Sequence, residues 1–158
     1  GKGLADGTIQ TISTDHCSFT TKQKKLGEGD FTKIPGGMPG AETRGTLIYT
    51  YGVDQGRITK EDMCRVLSEN PAKLYGLYPR KGVIAPGSDA DLVIMRTGVE
   101  DVITAKDQVQ NVDYAPFEGT KVTGRVESVF LRGLQAVKDG KVVEEKKGEF
   151  LKRGKYAL

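Results

Sequence analysis

The chain of 158 residues contains one histidine, His16. A hydrolytic zinc centre commonly takes two or three histidine ligands, so these residues alone do not assemble one of the common patterns, and metal chemistry would have to draw on residues elsewhere. Cysteine is also scarce. Cys17 and Cys64 are too few and too far apart for a disulfide framework or a CxxC zinc knuckle, which fits a reducing compartment and leads us to expect a cytoplasmic protein. There is no large excess of one charge: 24 Lys and Arg stand against 21 Asp and Glu, a formal net charge of +3. Both signs are scattered, and no polybasic stripe exists to neutralise a phosphate backbone, so nucleic acid is not the expected partner. No window approaches the ~20 consecutive apolar residues of a membrane span, and no apolar signal-peptide core follows Gly1-Lys2-Gly3, so a membrane is not expected either. An initiating Met is also missing, and a strand-like run begins almost at once, from which a fragment of a longer protein is expected. The length allows one domain of common size or two small ones.

What is present divides near Gly82. In the first half, Thr8 to Ser13 is short, β-branched and flanked by Gly7 and by Thr14-Asp15-His16, which predicts a strand ending in a polar loop. Residues 20–41 hold so many Gly, Pro and Lys residues that regular structure is disfavoured, and a loop of that length is usually functional or mobile. Glu42 to Tyr51 carries Leu47, Ile48 and Tyr51 at helical spacing. Thr59 is placed to cap a helix with Met63, Val66 and Leu67 on one face and with Glu61 and Asp62 in its first turn. Asn70-Pro71 reads as a stop and restart of that helix, Asn70 as N-cap and Pro71 at the first position. The second half is predominantly β: Val83 to Ala85, Leu92 to Met95, Val126 to Leu131, and a hairpin from Leu134 to Val143 around Asp139-Gly140, a pair suited to a type I′ turn. Val99 to Glu118 shows no clear period.

Asp15-His16-Cys17 is the one place where three metal-competent side chains adjoin. In an extended chain Asp15 and Cys17 share a face and His16 points the other way, so the three do not readily converge on one ion. A carboxylate just beyond a strand's C-terminal end is where barrel and open α/β enzymes place catalytic groups, which makes Asp15 a candidate site residue; its alternative role is an Asx-type turn cap. A structural role suits His16 better than a ligand role. Cys17 and Cys64 are expected to be small buried apolar residues. Gly36-Gly37-Met38-Pro39-Gly40 lacks the GxxxxGK[ST] spacing of a phosphate cradle, but it would let main chain approach a ligand closely. Asp89-Ala90-Asp91 has the look of a DxD metal motif, yet between a Gly-Ser turn and an apolar strand its carboxylates are expected to bond turn amides. The basic residues Lys146, Lys147, Lys152, Arg153 and Lys155 are offset by Glu144, Glu145 and Glu149, as on a solvated surface or subunit contact.

Thr14-Asp15-His16-Cys17, Asp30-Phe31-Thr32-Lys33-Ile34-Pro35, the run from Asn70-Pro71-Ala72-Lys73 to Gly82, and Gly87-Ser88-Asp89-Ala90-Asp91-Leu92-Val93-Ile94 together resemble the C-terminal third of the dihydropyrimidinase and D-hydantoinase family of cyclic amidohydrolases. Asn111-Val112-Asp113-Tyr114 through Gly119 and the ending Gly148-Glu149-Phe150-Leu151-Lys152-Arg153 extend the resemblance over nearly the whole chain. The resemblance implies an α/β fold, with residues 1–81 forming the C-terminal end of a (β/α)8 TIM-like barrel, incomplete in this chain, and residues 82–158 a region rich in small β-sandwich. It also implies a binuclear Zn2+ centre whose histidines and carboxylated lysine lie outside this chain, with Asp15 as the single ligand inside it. Asp15 would then be both metal ligand and catalytic base and acid, taking a proton from the attacking water and passing it to the departing ring nitrogen. A small cyclic ureide or imide is the implied substrate, and a homotetramer the implied assembly. The family commonly has Ile-Pro-Asn-Gly where this chain has Ile34-Pro35-Gly36-Gly37, and the asparagine contributes main-chain substrate contacts there. Such a contact survives replacement by glycine, so Gly36 is the implied substrate-binding residue. An allantoinase-like enzyme and a metal-free scaffold similar to the collapsin-response mediator proteins are the alternatives.

Overall fold

A computed structural model describes residues 1–144 and 148–158. Glu145, Lys146 and Lys147, part of the charged run near the C-terminus, lie outside the described residues. The first half is helical and irregular. It comprises α1 (Lys2–Ala5), α2 (Thr21–Lys24), α3 (Arg44–Ile48), α4 (Lys60–Cys64) and α5 (Asn70–Leu74). The second half carries one antiparallel sheet, β1 (Leu92–Val102), β2 (Lys121–Leu131), β3 (Leu134–Lys138) and β4 (Lys141–Val142), in the spatial order β1-β2-β3-β4.

The helix expected over Glu42 to Tyr51 begins at Arg44 and widens into a π turn over Tyr49–Val53. The helix expected from Thr59 forms with a complete capping box: Asp62 N–H donates to Thr59 Oγ1 at 3.0 Å, and Thr59 N–H donates to Asp62 Oδ2 at 3.1 Å. It does not stop at Asn70-Pro71. α4 passes through a π turn over Arg65–Glu69 directly into α5, and Asn70 has helical torsions rather than those of an N-cap. The physical reason is the wider turn. Asn70 N–H reaches back five residues to the Arg65 carbonyl, and Pro71 has no N–H to offer Val66. The Val66 carbonyl therefore accepts from outside the helix, from Ile12 N–H at 3.2 Å.

Residues 8–13 are not hydrogen-bonded as a strand, contrary to expectation. They bond to helices instead of to neighbouring strands, and no flanking parallel strand exists among the described residues. Residues 83–85 are also irregular, and Ile84 is 88% exposed. The predicted hairpin around Asp139-Gly140 is present, with φ of 49° and 73° at those residues, as a type I′ turn requires. A second turn of the same sign pattern, Arg132-Gly133 at 49° and 82°, joins β2 to β3 and had no recognised signal.

The core lies where α3 and its π extension cross β2. Ile103, Ala115 and Val122 form its buried centre, with Leu47 and Ala105 packed against it; fully burying one such aliphatic side chain contributes roughly 1.5–3 kcal/mol. Tyr49 is also buried and its ring packs against Gly124, where a Cβ would come within 2.5 Å of it. Polar contacts complete the seam: Thr123 N–H donates to Thr50 Oγ1 at 3.1 Å, Thr123 Oγ1 donates to Asp54 Oδ2 at 2.8 Å, and Tyr51 Oη donates to the Lys121 carbonyl at 3.1 Å.

A charged cluster joins the two halves at the predicted boundary. Asp89 accepts from Lys81 at 2.8 Å and from Arg80 Nε at 2.9 Å, while Asp91 bonds Lys81 and accepts the Arg132 N–H at 2.8 Å. Burial draws the Lys81 ammonium downward, but its bonds to both aspartates outweigh this and raise its pKa, while Lys81 foremost holds Asp89 below the usual carboxylate range. Asp91 thus meets the expectation of bonding a turn amide, and Asp89 is an ion-pair partner instead.

Candidate active site

Residues 10–17 cross the first half held from several sides. Asn70, buried in the long helix, donates from Nδ2 to both the carbonyl and Oε1 of Gln10, each at 2.8 Å. Ile12 is pinned by its N–H to Val66 and by its carbonyl, which accepts from Arg44 Nη1 at 3.3 Å. The segment then turns at Asp15, whose φ of 48° is in the left-handed region. Asp residues tolerate that region better than most because a short polar side chain can bond locally, but Asp15 makes no such bond. Among the described residues its exposed carboxylate has neither a hydrogen bond nor an ion pair, which sets aside the turn-cap alternative.

His16 is structural, as expected. Its Nδ1 accepts from the N–H groups of Gly40 at 3.1 Å and Ala41 at 3.2 Å, just ahead of α3. Cys17 continues the contact, its N–H donating to the Met38 carbonyl at 3.3 Å, and a parallel bridge pairs His16 with Met38. Both cysteines are exposed, not buried. Cys17 follows the turn at the open end of the segment, and Cys64 lies on the side of its helix away from buried Val66 and Asn70.

The loop from residue 20 to 41 is more ordered than its composition suggests. Thr20 and Gln23 form a capping box on α2, and single 3-10 turns follow at Lys25–Gly27 and Phe31–Lys33. Gly37 has φ of 130° and sits directly on Cys17, where a Cβ would be 2.7 Å from the cysteine Cβ and closer still to its carbonyl oxygen. Gly36 is the opposite case, exposed, with nothing within 4 Å of the point where a Cβ would stand and with no hydrogen bond from its main chain to the described residues. The contact of residues 16–17 with residues 37–38 thus brings the Asp15 and Gly36 stretches together.

Two groups missed in the sequence tie this loop to the irregular segment before β2. Asp113 Oδ1 accepts from Thr21 N–H at 2.8 Å, and that bond foremost holds its carboxyl below the ordinary value of 3.8. Glu42 accepts from Val109 N–H at 3.0 Å and from Gln110 N–H at 3.1 Å. Neither had a readable signal, because the partners are about 70 and 90 residues apart and the acceptors are main-chain amides. A groove of about 640 Å³ runs from Ser13 and Thr14 past Leu47 and Tyr51 to Phe117, but Asp15 and Gly36 are not among its walls.

As a metal site the arrangement is partial. Among the described residues no group of three His, Cys, Asp or Glu side chains is placed to hold an ion. With Nδ1 of His16 occupied, the unpaired carboxylate of Asp15 fits the role of one ligand contributed to a larger set.

The amidohydrolase family model matches residues 1–143. The chain belongs to the amidohydrolase family. This amidohydrolase chain is 49% identical over 155 residues to a D-hydantoinase of Geobacillus stearothermophilus, covering 97% of the chain and 33% of that protein. The solved D-hydantoinase of Bacillus sp. AR9 superposes with a TM-score of 0.95 at 45% identity, over 99% of this chain and 34% of that one. The dihydropyrimidinase of Brevibacillus agri NCHU1002 does so with a TM-score of 0.95 at 42% identity, again over 99% and 34%. Within the amidohydrolases the chain therefore falls in the dihydropyrimidinase and hydantoinase branch, and it spans about a third of the length of the relatives it matches. Among the described residues no helix is long and apolar enough to cross a membrane.

Proposed function

We propose that this chain is the C-terminal third of a zinc-dependent cyclic amidohydrolase that opens the ring amide of dihydropyrimidines or hydantoins. In that reading residues 1–81 complete the end of a TIM-like barrel and residues 82–158 form most of a small β-sandwich. The whole enzyme is a cytoplasmic homotetramer acting on a small cyclic ureide or imide. The observation that carries the reading is Asp15: an exposed carboxylate without a partner, at the end of a segment anchored to two helices, in a chain similar over nearly its full length to hydantoinases.

Asp15 is the metal ligand this chain contributes, and the histidines and carboxylated lysine come from outside it. A bound zinc pair supplies Lewis acidity, polarising the ring carbonyl and lowering the pKa of water. Asp15 accepts the proton that the attacking water loses and delivers it to the ring nitrogen as the amide bond breaks, so one carboxylate serves as base and then acid. Gly36 offers main-chain hydrogen bonding to the ring, a role that needs no side chain. His16 holds the turn after Asp15 against Gly40 and Ala41.

The test is Asp15→Asn in the complete enzyme. Asparagine accepts the left-handed torsion at this position, so the backbone is kept while the proton acceptor is removed. A fall in kcat of about 10²- to 10⁴-fold is expected, with reduced zinc, on dihydrouracil and phenylhydantoin. Wild-type turnover in the variant would refute the assignment, and turnover of allantoin alone by the parent enzyme would move it to the allantoinases.

A further inference from the structure

Residues 20–41 contain four lysines, Lys22, Lys24, Lys25 and Lys33, of which only Lys24 is withdrawn from solvent. Its ammonium makes no ion pair among the described residues. It lies 5.3 Å from the centre of the Phe19 ring and donates to two main-chain carbonyls, Pro35 at 2.6 Å and Gly37 at 2.5 Å. These are the carbonyls on either side of Gly36. Hydrogen bonds from an ionised donor are roughly twice as strong as neutral ones. Lys24 therefore holds the Pro35-Gly36-Gly37 turn at two points from the inside.

Planarity of the peptide group then has a directional consequence. In a trans peptide the C=O of one residue and the N–H of the next point in opposite directions. With the Pro35 carbonyl drawn to the ammonium, the Gly36 N–H faces away from Lys24. That N–H has no acceptor among the described residues, and the space beside the Gly36 Cα is open. The same loop is fixed at its start by Asp113 on Thr21 N–H, three residues before Lys24, and at its end by Gly37 seated on Cys17.

We propose that Lys24 is a positioning residue that turns the Gly36 N–H outward as the donor for a carbonyl oxygen of the cyclic substrate. This rests on the reading of Gly36 as a substrate contact and adds which main-chain atom serves and what aims it. Lys24 itself touches neither substrate nor metal. Its removal should therefore weaken binding without removing the proton transfer at Asp15.

The experiment compares wild type, Lys24→Met and Lys24→Arg in the complete enzyme, with phenylhydantoin kinetics, zinc content and hydrogen exchange of the peptide covering residues 34–41. Lys24→Met keeps the stem that packs on Phe19 and loses both donations. Its KM is expected to rise about tenfold, the loss of one hydrogen bond, with kcat within about threefold and zinc unchanged, as for a loss confined to binding. Exchange at Gly40 and Ala41, whose amides His16 holds, should speed up. Lys24→Arg, which can span two carbonyls, should restore most of the KM. Faster exchange with an unchanged KM would overturn the reading of Gly36 as a substrate contact while leaving the hold of Lys24 on the turn intact. Unchanged exchange and unchanged KM would overturn the proposal. Should Lys24→Met fail to fold, Lys24→Gln carries the same comparison, since its amide is too short to reach both carbonyls.

Discussion

Gly36 and Gly37 are neighbours with opposite tolerance for a side chain. At Gly37 a methyl group meets the Cys17 main chain, and φ of 130° is outside the range that L-residues adopt. Gly37→Ala is expected to cost about 1–3 kcal/mol in denaturant unfolding, because strain of that size accompanies a forbidden torsion. Gly36→Ala meets nothing, and a change within about 0.5 kcal/mol is expected, as for an unconstrained surface position. If the two variants unfolded at the same denaturant concentration, the seat of Gly37 on Cys17 would not be what orders the turn. At this scale a sequence draws attention to residues whose signal is local. Asp15 stood out because a carboxylate after a β-branched run is a recognisable pattern, and Gly36 because it replaces an asparagine in a familiar tetrapeptide. Lys24 did not stand out, since three similar lysines surround it and its partners are carbonyls that every residue has.

At the scale of elements, the informative case is the helix from Thr59 to Leu74. Its start was readable from Thr59 and Asp62, which satisfy each other's amides across three residues. Its continuation through Pro71 was not, because a π turn depends on what the freed Val66 carbonyl can find, and the answer, Ile12, lies 54 positions earlier in the chain. Asn70 has the same character. Read locally it is a cap; in the fold it is buried and binds Gln10 through both of that residue's oxygens. Asn70→Ala should therefore destabilise the protein by about 0.5–1.5 kcal/mol for each hydrogen bond lost, since the exposed Gln10 can turn its oxygens to water. Asn70→Asp should cost more, since it sets a carboxylate against the two Gln10 oxygens. Hydrogen exchange distinguishes this from a simple helix defect: the Ile12 amide should lose protection along with the amides of the helix. Loss of helix protection alone would mean that Asn70 does not anchor residues 10–12.

For the whole molecule, the strands at Leu92 to Met95 and Val126 to Leu131 and the hairpin around Asp139-Gly140 were predicted because type I′ turns and β-branched strands are short-range features, whereas strands over residues 8–13 and 83–85 were predicted and are not paired. Strand propensity needs a partner to become a strand, and here the partners for residues 8–13 are helices. The same shortage appears on the surface. Phe31 is 83% exposed, Ile84 88% and Phe150 94%, values that a self-sufficient domain rarely tolerates for side chains worth about 1.5–3 kcal/mol each on burial. The 158-residue chain produced by itself is accordingly expected to self-associate with rising concentration and to bind a hydrophobic dye. Under the proposed function, in which Asp15 is one ligand of a centre that needs several, it should also show no hydantoin hydrolysis. Sedimentation and dye fluorescence check the first two, and an assay of protein free of any full-length enzyme checks the third. A monodisperse monomer that hydrolyses hydantoin would mean that these residues build a complete metal site of their own, and that Asp15 does not depend on histidines from outside the chain.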